Sequence, residues 1–277
     1  MSKGLQLVLC ALLGAAAFIA AHADECKFTA ERTGGIAVAG AKRVEIRAGA
    51  GDLKVTGRHG AGEVSAVGRA CASAQTLLDQ IQIRITRAGD VIHVDVQMPD
   101  AEAMEGSSFA MLDLKVDLPD DVPLVAFDSS GDARFQNLAS SDISDSSGEL
   151  TIEDIKGDLK VRDSSGDIEV DHVSGNVQLE DSSGDIKVDE VQGDVLVSSD
   201  SSGSMTIRHI GKGVRVAQDS SGDIDIADVK GNVNIDSDSS GGVDVERVGG
   251  SFTLGNKGSG DIKTAEIKGT ISMPPGR

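Results

Sequence analysis

Apolar residues in the second half of the chain come in two short alternating bursts per repeat. From Gly166 the chain reads Gly-Asp-Ile-Glu-Val-Asp-His-Val-Ser-Gly-Asn-Val-Gln-Leu-Glu. Ile168 and Val170 alternate with polar residues, Val177 and Leu179 do so again, and Val173 marks the turn between the bursts. A period of two predicts β-strands with one buried face. The next unit repeats the pattern with Ile186, Val188, Val191, Val195 and Val197, and a later one with Ile224, Ile226, Val229, Val233 and Ile235. Glycine recurs too often for helix, and the apolar spacing is too regular for disorder.

The bursts are punctuated by Asp-Ser-Ser-Gly, beginning at Asp128, Asp145, Asp163, Asp181, Asp200, Asp219 and Asp238, with a degenerate copy at Lys257. The steps are 17, 18, 18, 19, 19, 19 and 19 residues. Self-similarity at a short fixed period is the signature of a solenoid. The expected fold is all-β: a single-stranded parallel β-solenoid of about eight coils of 17–19 residues over 128–277. Each coil has two short strands, and like residues stack at ~4.8 Å. Branched aliphatics fill the narrow interior, and rings are expected not to fit there.

Residues 24–127 form an expected β-rich capping region. Alternation predicts strands near 44–48, 53–56, 63–69, 81–87, 91–97, 111–118 and 123–127, with a short helix over 73–80. Solenoid ends expose unpaired strand edges, so a cap is needed. At the far end Ile271-Ser272-Met273-Pro274-Pro275 closes the stack, because proline donates no backbone hydrogen bond.

The chain opens with Lys3, a largely apolar run from Leu5 to Ala20, and Ala21-His22-Ala23. This reads as a secretory signal over residues 1–23 and predicts a periplasmic or secreted protein. Cys10 lies inside the run and leaves with it. Cys26 and Cys71 remain, an even pair that predicts one disulfide in an exported chain. No later stretch is long and apolar enough to span a membrane.

Charge narrows the partners. The net charge of −19 becomes −20 once Lys3 is removed, which argues against nucleic acid and anionic lipid surfaces. The chain has no Trp, no Tyr and six Phe, so it lacks the aromatic platforms on which sugars and bases stack.

The strand-rich N-terminal stretch, Leu118-Pro119 and the recurrent Ser165-Gly166-Asp167-Ile168 and Ser183-Gly184-Asp185-Ile186 units together resemble the bacterial β-strand-repeat family labelled "putative adhesin", a domain of unknown function. The resemblance covers nearly all of the mature chain. It implies an extracytoplasmic β-solenoid and carries over no catalytic residues. Acidic positions of the repeat are lost at Ser204, Gly242 and Lys257.

Stacking turns repeat positions into columns. The marker aspartates form one, read as a surface column, and Asp132, Glu149, Asp167, Asp185, Asp223 and Asp261 form a second. Adjacent carboxylates repel by roughly 1 kcal/mol in water, more near a protein wall. Two answers stand open: each aspartate accepts backbone N–H groups of its own turn, or Asp163, Asp167, Asp181 and Asp185 hold Ca²⁺ between coils. A third column, Lys160, Gln178, Leu196, Arg215 and Asn234 with Thr253 and Ser272, contains no carboxylate and is the expected face for a protein or envelope partner. Catalysis is not expected. His172 and His209 lie two coils apart, no Ser is matched with a base, and a narrow solenoid offers no obvious cleft. The function expected is an exported non-catalytic scaffold or adhesin-like module. The alternatives are a calcium-binding module and, less favoured, a polysaccharide-acting β-helix enzyme.

Overall fold

A computed structural model describes residues 26–100, 104 and 108–274; the expected signal over 1–23 and Pro275 lie outside the described residues. The protein is two parallel-stacked sheets wound from one chain. Each coil contributes one strand to sheet A and one to sheet B. Sheet B takes β8 (Leu124–Phe127), β10 (Ser141–Ser144), β12 (Leu159–Arg162), β14 (Val177–Glu180), β16 (Val195–Ser199), β18 (Val214–Val216), β20 (Val233–Ser240), β22 (Phe252–Ser259) and β24 (Ile271–Ser272). Sheet A takes β9 (Ala133–Leu138), β11 (Leu150–Ile155), β13 (Ile168–Val173), β15 (Ile186–Val191), β17 (Met205–Ile210), β19 (Ile224–Val229), β21 (Val243–Val248) and β23 (Ile262–Ile267). The result is a β-solenoid of about eight turns.

The register follows the repeat. Ile168 pairs with Ile186, Val170 with Val188 and Val173 with Val191 in sheet A; Val177 pairs with Val195 and Leu179 with Val197 in sheet B. All of these side chains are at most 1% exposed. Burying each contributes about 1.5–3 kcal/mol, which no isolated coil could collect.

The stack continues upstream. β2 (Arg43–Arg47) pairs in parallel with β8, and β3 (Leu53–Arg58) with β9, so both ladders run through residue 127 unbroken. Beyond them β6 (Val91–Gln97) pairs with β2, and β5 (Gln82–Ala88) forms the outer edge of sheet B. β7 (Ala110–Pro119), β4 (Glu63–Ala72) and β1 (Phe28–Ala37) complete sheet A, the last two pairings antiparallel. Helix α1 spans only Gln75–Leu78, within the expected 73–80, and buries Leu77 and Leu78. Arg32 ties it to β1 by donating to the carbonyls of Ile81 (2.7 Å) and Leu78 (2.9 Å).

Three features depart from the sequence reading. Strand β1 was not expected; its side chains alternate only between partly buried and exposed, and Gly34-Gly35 interrupts the apolar signal. Rings do enter the interior: Phe135 and Phe252 are fully buried. Phe135 has room because Ala126 and Ala133 are inward residues of the same coil. The C-terminal end is only partly closed, since Ile262, Ile271 and Met273 are 36%, 46% and 42% exposed.

Candidate functional site

The two corners of each coil use different chemistry. Asp-Ser-Ser-Gly carries the chain from sheet B to sheet A, and its glycine takes a positive φ, from 102° to 138° between Gly131 and Gly260. The second serine donates to the carbonyl of the first serine one coil back, as Ser183 does to Ser164 at 3.2 Å and Ser221 to Ser201 at 3.1 Å. The return corner passes through a left-handed residue that is not glycine: Asn137, Asp154, His172, Glu190, His209, Asp228, Arg247 and Glu266, with φ of 52–61°. In most coils that residue and its predecessor both lie at the surface before the chain turns in again, as Asp171 and His172 do before Val173; Ala227, before Asp228, is covered.

The return corner lines an open groove of about 1560 Å³ that runs along the stack. Opposite charges interleave there. His172 Nε2 lies 2.9 Å from Glu190, His209 Nδ1 lies 2.6 Å from Asp189, and Arg247 reaches both oxygens of Asp228 at 2.7 and 2.9 Å. Hydrogen bonds to Asp171 and Asp189 hold the His172 and His209 imidazoles above their ordinary range. The groove is therefore internally neutralised along much of its length.

Surface aspartates also serve the stack. Asp167 accepts the backbone N–H of Asp185 (2.9 Å), Asp185 that of Ser204 (2.8 Å) and Asp223 that of Gly242 (2.7 Å). The bonds run to the next coil, not within the turn that carries the carboxylate. An unanticipated second ladder heads the sheet B strands, with Asp158, Asn176, Asp194 and Asn232 each accepting from the next coil at 2.8–3.0 Å. The sequence signal for it is the Asp or Asn that follows the return glycines Gly157, Gly175, Gly193 and Gly231.

The marker column is different, and here the surface reading needs correction. Asp128, Asp145, Asp163, Asp181, Asp200, Asp219 and Asp238 all point inward and are 5% exposed or less. Asp145 and Asp163 each accept one N–H from the following serine at 2.7 Å. Neither oxygen of Asp181 or Asp219 has a hydrogen-bond partner in good geometry, although the Ser182 and Ser183 N–H groups lie near Asp181 and the Asp238 carboxyl lies near Asp219. Burial pushes Asp128 and Asp219 up to about 7, Asp145 and Asp181 up to about 6, and Asp163 and Asp200 upward. The expected calcium set is thereby split. Asp163 and Asp181 lie inside the wall, whereas Asp167 and Asp185 lie outside it, engaged with backbone. Among the described residues, no group of three or more His, Cys, Asp or Glu is placed to hold a metal ion.

The expected partner column is in register from Lys160 through Gln178, Leu196, Arg215, Asn234 and Thr253 to Ser272. The column from Lys160 to Ser272 is free of carboxylates, but the sheet face around it is not. The column continues upstream into Asp142, and Arg215 is engaged by Asp236 of the next coil at 2.6 Å. A shallow depression of about 490 Å³ lies at its upstream end, where Arg43, Pro123, Val125, Lys160, Gln178 and Leu196 meet and Asp142, Asp158 and Asp194 also line the wall. Cys26 and Cys71 are bonded, with Cα atoms 5.5 Å apart.

Residues 34–228 match the family described as Toastrack DUF4097. The chain belongs to this family. The match begins within β1 and ends within β19, so the last Toastrack coils, including Lys257, lie beyond it. No curated protein matches the sequence. Among solved structures, the Toastrack chain is similar to a "putative cell adhesion protein" from Clostridium sporogenes, at 11% identity over 89% of this chain and 100% of that one, with a TM-score of 0.32. It is also similar to a "putative adhesin" from Bacteroides fragilis (14%, 90% and 98%, 0.39) and a "putative lipid binding protein" from Parabacteroides distasonis (13%, 87% and 96%, 0.43). At these identities and scores, none of the three bears on what the Toastrack chain binds.

Proposed function

We propose that this protein is a non-catalytic binding scaffold of the bacterial envelope, working outside the cytoplasm, that meets a protein or envelope component with the outer face of sheet B. The observation that carries this reading is the depression at Arg43, Pro123, Val125, Lys160, Gln178 and Leu196. It joins the apolar surface of Pro123, Val125 and Leu196 to two cations, Arg43 and Lys160, and to the carboxylates of Asp142, Asp158 and Asp194, a mixed composition suited to a partner that offers apolar surface and polar groups of both signs. Groups pushed from their ordinary protonation range lie in the buried column, in separate ion pairs or in the open return-corner groove, where His172, His209, Asp228 and Arg247 are each engaged in an ion pair with a neighbouring residue. The disulfide and the N-terminal sequence support an oxidising compartment.

A photo-crosslinking residue at Gln178, on sheet B, and another at Thr206, on sheet A, test the reading in the native envelope. Capture at Gln178 that is lost with Lys160→Glu and Leu196→Asp is expected. Equal capture at both positions, or at neither, overturns it. The exported chain is expected to begin near Asp24, and a full-length cytoplasmic chain counts against the compartment.

A further inference from the structure

The buried aspartate column has a chemical problem that the rest of the fold does not solve. Asp200, Asp219 and Asp238 are paired in parallel along the stack, at 1%, 0% and 1% exposure. Coil spacing puts neighbouring carboxyls ~4.8 Å apart at the backbone. The charged groups around the column are mostly acids: Asp52 beside Asp128, Asp132 beside Asp145 and Asp185 beside Asp200. Isolated buried ions cost several kcal/mol each.

One cation does enter. Lys257 stands where an eighth marker aspartate would be, in register with Asp238. Its ammonium lies 2.8 Å from Asp238 Oδ2, donates to the Gly241 carbonyl at 2.7 Å and also to the Ser259 carbonyl, and its side chain is 6% exposed. At the other end the column stops at the coil of Ala48, whose N–H bonds the Phe127 carbonyl. The column thus runs from an alanine to an ammonium. Its fully covered carboxyls at Asp181 and Asp219, which have no hydrogen bond in good geometry, point to a positively charged occupant, as does the buried ammonium at its end.

The smallest such occupant is a proton. A protonated aspartic acid has the shape of asparagine and gains an O–H donor. One proton in each gap lets each carboxyl donate to its neighbour, coil after coil, ending on an ionised Asp238 against Lys257. Seven carboxyls have six gaps, so six protons and one ammonium leave the column neutral. We propose that this column is a proton-binding site of the folded solenoid, holding about one proton per gap between adjacent aspartates, with Lys257 as its terminal counter-charge. Chain unfolding at a pH between the unfolded value of about 3.9 and the folded titrations at about 6 to 7 then releases those protons. The upward shifts of Asp128, Asp145, Asp163, Asp181, Asp200 and Asp219 agree with this.

The sign is the reverse of the usual acid denaturation. Folded-state values lie above the unfolded value of about 3.9, so the folded chain binds more protons than the unfolded one. Stability from the column is full below about pH 4 and is lost as pH rises toward about 6 to 7, where Asp145, Asp181, Asp128 and Asp219 titrate.

The test uses the disulfide-bonded mature chain. Infrared spectra at pH 6, where free aspartates are ionised, are expected to show a carboxylic-acid carbonyl band that weakens in Asp181→Asn and Asp219→Asn. Each substitution is expected to remove up to one proton from those released on unfolding at pH 6, and to raise the melting temperature at pH 8. Absence of the acid band in the wild-type chain at pH 6 overturns the proposal, whether or not the variants fold. So does a melting temperature at pH 6 that rises with added calcium, at constant ionic strength, only while the column aspartates are present, since that places a metal cation in the gaps.

Discussion

The carbonyl oxygen of Gly184 lies 1.8 Å from where a Cβ on Gly203 would stand, one coil further along the stack. Gly203 also holds a φ of +131°, which side chains rarely adopt. The close approach and the backbone angle forbid any other residue there. Gly203→Ala is expected to lower unfolding free energy by ~4 kcal/mol or more or to prevent folding. Gly62→Ala, which meets nothing within 4 Å, is expected to stay within ~0.5 kcal/mol of wild type. Urea unfolding followed by circular dichroism compares them; equal midpoints would contradict the stacked corner.

That corner was partly legible in the sequence, and the reason lies in the period. Repeat spacing alone placed Ile168 over Ile186 and Lys160 beside Gln178. It also carried an unused signal: Val177, Leu179 and Asp181 continue one alternation, so Asp181 faces inward with the two apolar residues before it. The general rule that carboxylates stay in water outweighed that pattern. Lys257 was visible as a break in the motif, but its meaning needed the burial of Asp238. The left-handed corner left a weak compositional sign: Asn137, Asp154, His172, His209 and Asp228 are of the Asn, Asp or His types that tolerate a left-handed backbone, whereas Glu190, Arg247 and Glu266 are not. Strand β1 escaped because pairing to β4, and not a buried apolar face, holds it in place.

Cys26 and Cys71 close a separation of 45 residues and bring the start of β1 to the end of β4. In the chain-entropy account, a loop of that length is worth about 4 kcal/mol, with measured disulfides commonly at 2–4. Cys71→Ser is expected to lose about that much, and reduction of the wild-type chain to lose a similar amount. Denaturant titration with and without reductant provides the comparison. An unchanged midpoint on reduction would show that β1 is held by its ladder alone.

The two groove histidines bear on pH dependence. His209 is hydrogen-bonded to Asp189 and His172 to Asp171, and both imidazoles are held above the ordinary value. A raised folded value means that their contribution to stability is present below about pH 6.5 and fades as pH rises through the folded-state titration. NMR titration is expected to place both midpoints above that of a free histidine. Asp189→Asn is expected to lower the His209 midpoint and leave His172, which depends on Asp171, Glu190 and Asp154, nearly where it was. A common shift of both would mean that the groove responds to overall charge and not to these contacts.

Glu190 offers a test of the return corner that separates backbone from side chain. It holds φ of +53° and places its carboxylate 2.9 Å from His172. Glu190→Ala and Glu190→Gly both remove that exposed contact, but only alanine keeps the Cβ that opposes a left-handed backbone. In an ordinary strand glycine is the less stable of the two. Here the order is expected to reverse, with the glycine variant more stable than the alanine variant by ~1 kcal/mol, the left-handed penalty less glycine's larger entropy loss. Thermal unfolding of the pair measures the difference. If alanine is the more stable, the chain does not turn through a left-handed residue at this position, and the outward pairing of Asp189 with Glu190 that shapes the groove must be redrawn.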